Sequence, residues 1–115
     1  MTIKIYHNPR RSKSRQTLEL IRQSGIEPHI IEYLETPPGT EEIEYLLQTL
    51  HKEPHDILRH GEDIYKELDL GNTAKTRDQL ITAMARHPAL IQRPIVITKK
   101  GAAICRPPEL VRTLL

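Results

Sequence analysis

A chain of 115 residues can enclose one hydrophobic core but not two. With 37% of its residues hydrophobic and 28% charged, it has the balance of a folded domain, and no apolar run approaches the length of a membrane span. The net charge is only +2, yet Lys4, Arg10, Arg11, Lys13 and Arg15 all precede the first acid, Glu19, and the remaining 12 bases face 15 acids. So local a basic block points to a small-anion site, with a solvated basic loop as the alternative, and argues against a nucleic-acid-binding surface.

In chain order, "TIKIY" (2–6) alternates apolar and polar residues and predicts a first strand, ended by Pro9. A helix is expected from about Ser12, with Leu18 and Ile21 on one face and Gly25 as its terminator. "HIIEY" (29–33) is a second strand and "LETPPG" (34–39) a turn. Thr40 is placed to cap a helix in which Ile43, Leu46, Leu47 and Leu50 follow i, i+3, i+4, i+7 spacing. Pro54 suits the first turn of a short helix, "PHDILRH" (54–60), and "EDIYKEL" (62–68) is helical in character. Thr76 and Gln79 fit a capping box opening a helix with Leu80, Ile81 and Met84 inward.

Beyond it, "IVIT" (95–98) reads as a buried strand, "KKG" as a hairpin turn, "AAIC" (102–105) as a fourth strand and "PPELVRTLL" as a terminal helix. The order predicts a single α/β domain over 1–115. It consists of a four-stranded mixed sheet with helices, interrupted by a helical insertion over about 40–90. The core must be built without Phe or Trp. The one cysteine, Cys105, cannot form an internal disulfide, and the N-terminus shows no signal-peptide hydrophobic stretch, so the cytoplasm is the expected compartment.

The stretch "YHNPRRSKSRQTL" (6–18) runs from a strand end through a proline and a polar run into a helix. Such a helix start leaves backbone N–H groups unpaired, and with the helix dipole they favour an anion. Ser12 and Ser14 fit this site or, equally, simple capping. This stretch resembles the active-site loop of the ArsC-type arsenate reductases. "YLETPP" (33–38), "HPALIQRPIV" (87–96) and "CRPPE" (105–109) resemble that family's other signature segments, in the same order.

The resemblance implies a thioredoxin-like fold and the reduction of arsenate with glutathione as co-substrate and glutaredoxin as partner; no bound cofactor, metal, membrane or nucleic acid is expected. Arsenate or another small oxyanion would be held by Arg59, Arg93 and Arg106, whose guanidinium forks suit tetrahedral oxygens. His7, Asn8, Ser14 and Arg15 would support the loop, and Pro94 would follow a cis Arg93–Pro94 bond.

The position of the family's nucleophilic cysteine holds Arg11. Arginine cannot serve as that nucleophile, so the expected result is oxyanion binding with the reductase step impaired. Cys105, beside Arg106 on a predicted strand, is expected to face away from the site as a buried small hydrophobe. His51, His55 and His60 lack metal-ligand spacing, because Pro54 breaks any shared helix face. The alternatives are a non-catalytic oxyanion-binding protein and an Spx-like transcription regulator, although the paired cysteines of the latter are missing.

Overall fold

The computed structural model describes residues 3–115. Its elements run β1 (Lys4–Tyr6), α1 (Ser12–Gln23), β2 (His29–Ile31), α2 (Thr40–Leu50), α3 (Pro54–Ile57), α4 (Asp63–Glu67) and α5 (Arg77–Arg86). A 3₁₀ turn (Pro88–Leu90), β3 (Ile95–Thr98), β4 (Gly101–Ile104) and a 3₁₀ helix (Pro108–Leu114) complete the chain. Thr2, where the first strand is expected to begin, lies outside the described residues. The chain forms two compact units: the part up to Thr36 together with Arg93–Leu115, and Pro37–Gln92.

The first unit holds a four-stranded mixed sheet in the order β2-β1-β3-β4, with β1 parallel to β2 and antiparallel to β3, and β4 antiparallel to β3. Alternation along β1 puts Ile3 and Ile5 on one side, and Val96 lies opposite Ile5. These three join Leu18 and Ile21 of α1, Cys105, Val111 and Leu114 in one buried cluster. The hydrophobic stripe of α1 and the last helix therefore share one face of the sheet. Each such Ile or Leu stabilises the unit by about 1.5–3 kcal/mol on burial. As its sequence predicts, α1 stops at glycine. The Ser24 and Gly25 N–H groups turn back to the Ile21 and Arg22 carbonyls, and Gly25 sits at φ +87°.

Two expectations in this unit are corrected. The fourth strand ends at Ile104, so Cys105 lies just past it, and the C-terminal helix is 3₁₀ and not α-helical. Its start at Pro107–Pro108 supplies no backbone donors. Its end is held by Thr98 Oγ1, which donates to the Leu114 carbonyl at 2.8 Å.

In the second unit Ile43, Leu46, Leu47 and Leu50 are buried along α2, which packs against α5. The cap of α2 is Gly39, not Thr40. Gly39 adopts an extended backbone and its carbonyl accepts the first helical bond, from Ile43 N–H at 3.0 Å. The helix at Pro54 ends at Ile57, short of His60, because Leu58 turns extended and bridges Ile91. Arg59 N–H and Gln92 N–H complete that pairing on the Leu90 and Ile57 carbonyls, at 2.7 and 2.8 Å. The capping box of α5 forms as spaced. Thr76 Oγ1 accepts from Gln79 N–H at 3.2 Å, and Gln79 Oε1 accepts from Thr76 N–H at 2.8 Å.

Candidate functional site

The sheet register gathers the separate segments of the candidate site within the first unit. Tyr6 pairs with Ile95, and Ile95 with Ile104. Cys105 N–H carries the ladder one step further by donating to the Pro94 carbonyl at 2.9 Å. The loop from His7, the Arg93–Pro94 pair and the Cys105–Arg106 pair therefore leave the same end of the sheet. Arg93–Pro94 is cis, and so is Arg106–Pro107, which the sequence does not announce. Arg93 is 6% exposed, whereas Arg106 lies open to solvent. Arg59 belongs to the other unit, where its Nη1 donates to Glu62 Oε1 at 2.7 Å.

The loop is held by its own side chains. Asn8 shapes the turn by accepting Arg10 N–H on Oδ1 (3.0 Å) and Arg11 N–H on its carbonyl (3.1 Å). Ser14, fully buried on α1, reaches back to the loop. Its Oγ accepts Asn8 N–H at 3.0 Å and lies 2.6 Å from His7 Nδ1. Arg15 Nη1 donates to the Pro9 carbonyl at 2.9 Å. Thus His7, Asn8, Ser14 and Arg15 form one hydrogen-bonded frame between β1 and α1. Burial pushes the His7 imidazole below its ordinary pKa, only partly opposed by the Glu32 carboxylate, so the ring is neutral at pH 7.

Arg11 is the N-cap residue of α1. Its backbone is extended (φ −109°, ψ 130°), and its side chain provides no cap. The first turn of α1 carries no acid. The side chains of Arg10, Arg11 and Lys13 make no hydrogen bond or ion pair with the described residues. Uncommitted cations thus lie in the loop and first turn of α1, beside the unpaired N–H groups of the helix start, a combination that favours a small anion. It offers no thiolate. Cys105 is buried in the core cluster and its thiol is pushed up to about 12 by burial.

A cavity of about 200 Å³ opens beside the loop, lined by His7, Asn8, Pro9 and Arg10 on one side and Glu32, Leu34 and Glu35 on the other. Nothing in the spacing singles out these last three, because a strand end and a turn carry no periodic pattern. Among the described residues no three His, Cys, Asp or Glu side chains cluster so as to hold a metal ion. His60 instead donates to the His55 carbonyl (3.3 Å) and stacks on Tyr65 with ring centroids 4.8 Å apart.

A mixed sheet of this order, whose first strand feeds a proline-bearing turn into a helix, makes this a thioredoxin-like protein with a basic loop. The particular family follows from comparison with known proteins. A family model described as the ArsC family matches residues 6–114, and the chain belongs to that family. It is 49% identical to an arsenate reductase of Escherichia coli over 98% of this chain and 80% of that one. It is 46% identical to the uncharacterized protein YfgD of Escherichia coli strain K12 over 95% of this chain and 92% of that one. The solved arsenate reductase from Vibrio cholerae superposes with a TM-score of 0.97 at 48% identity, covering 100% of this chain and 98% of that one.

Proposed function

We propose that this protein binds arsenate or a closely similar oxyanion at the loop and α1 N-terminus, and that Arg11 blocks the family's reductase step. In the full reaction a loop thiolate attacks arsenate, glutathione attacks the arseno-thiol adduct, and glutaredoxin completes the two-electron reduction to arsenite. Arg93 and Arg106, which leave the same end of the sheet as the loop, are assigned to the oxyanion, and His7, Asn8, Ser14 and Arg15 to the loop that presents it. The carrying observation is the conjunction at α1. The loop frame is complete, yet its N-cap side chain is a guanidinium and the one thiol of the chain is buried elsewhere. Four sequence segments in the family's order, and relatives named arsenate reductase at nearly half identity, support arsenate as the ligand.

The test is arsenate reduction, with glutathione and glutaredoxin, by this chain beside its Arg11→Cys variant, together with calorimetric titration of both with arsenate and phosphate. Binding by the native chain, with turnover only by the variant, is the expected result. Turnover by the native chain at the variant's rate overturns the assignment of Arg11. Loss of both binding and turnover in both proteins overturns the oxyanion site.

A further inference from the structure

The cavity beside the loop carries charges of both signs. Arg10 stands on one wall, and Glu32 and Glu35 on the other. None of these three side chains makes a hydrogen bond or ion pair among the described residues, although they line one space. Both walls are built. The Asn8 turn fixes the Arg10 backbone, and a turn closed by Glu35 N–H and Thr36 N–H on the Glu32 carbonyl (2.9 and 3.0 Å) fixes the backbone that carries Glu32 and Glu35. His7 N–H joins the walls by donating to the Ile31 carbonyl at 2.8 Å. Leu34, 40% exposed, and Pro9 add apolar surface.

These features select a ligand. A simple anion meets two carboxylates here, and a simple cation meets Arg10, so each is opposed by part of the lining. A group with an ammonium and a carboxylate on neighbouring atoms satisfies both walls through charge-assisted hydrogen bonds. At about 200 Å³ the cavity has room for the head group of one amino acid.

We infer that this cavity is a binding site for an α-amino-acid head group, with its ammonium against Glu32 and Glu35 and its carboxylate on Arg10. The group is carried by a free amino acid or by the γ-glutamyl end of a peptide thiol. In the second case the cavity is the docking point of the thiol co-substrate beside the loop, a tie that rests on the glutathione-linked reading above. The head-group site itself does not depend on it.

The experiment is an amide-resonance titration of the full chain, which needs no turnover and so is unaffected by failure of the arsenate reading. L-norvaline represents the free amino acid and S-methylglutathione the peptide, with butyrate and butylamine as singly charged controls. Saturable shifts confined to residues 7–10 and 32–36 are expected with one or both zwitterions. Arg10→Ala and the double variant Glu32→Gln/Glu35→Gln, folded by the same spectra, should each weaken binding at least about ten-fold. Shifts from norvaline assign the site to free amino acids as well, and shifts from S-methylglutathione alone assign it to the peptide. No saturable shift with either, equal binding of butyrate or butylamine, or undiminished affinity in both variants overturns the inference.

Discussion

Arg11 occupies a position whose local physics asks for a different residue. An N-cap favours a short side chain that accepts an N–H bond, and the positive end of the helix dipole favours negative charge. Arg11 supplies neither. Replacing it by Asp should therefore raise stability by about 0.5–2 kcal/mol, read from the urea midpoint, while abolishing arsenate or phosphate binding in calorimetry.

His7 gives a prediction with a sign. Burial holds its folded pKa below 6.5, so the unfolded chain takes up its proton first as the pH falls. The His7 contribution is complete above pH 6.5 and declines below it until the folded ring also protonates. Chemical denaturation between about pH 5 and 7.5 should show a shallower loss toward acid in His7→Gln than in the native chain. Cys105 is predicted to resist alkylation. With its thiol raised to about 12 inside the core, it should react with iodoacetamide only after unfolding, as counted by mass.

At the level of elements, the two best-defined helix starts contrast. α5 begins with a reciprocal capping box, and α1 begins with none. Thr76→Ala removes the acceptor for Gln79 N–H and should cost about 1 kcal/mol in urea unfolding, whereas Gln16→Ala on the exposed face of α1 should lie within about 0.5 kcal/mol of native. The short element at Pro54 shows how pairing overrides local preference. Its helical pattern continues past Ile57, yet the chain leaves the helix because the Leu58–Ile91 bridge satisfies the backbone there.

For the whole molecule, the absence of Phe and Trp makes the core a mosaic of medium-sized side chains, so each one matters. Ile21, fully buried between α1 and the sheet, should cost about 2–5 kcal/mol when cut to Ala, measured by chemical denaturation, because neighbours of that size refill a hole poorly. The same tertiary arrangement makes the functional reading possible. The order β2-β1-β3-β4 turns the ends of three strands to one side, where the loop, Arg93 and Arg106 emerge together. Among the described residues no helix is long and apolar enough to cross a membrane.

By itself the sequence determined what depends on short range: the alternation of β1, the buried stripe of α2, the Thr76–Gln79 box, the glycine stop of α1 and the basic loop. These are legible because neighbours in sequence set backbone propensity and the period of burial. Only the tertiary structure decided the burial of Ser14 and His7 against each other, the early end of the Pro54 helix and the cap at Gly39. It alone set Arg10 across a cavity from Glu32 and Glu35. Each of these is fixed by partners distant in sequence or by competition among backbone donors and acceptors, and neither leaves a periodic trace in the chain.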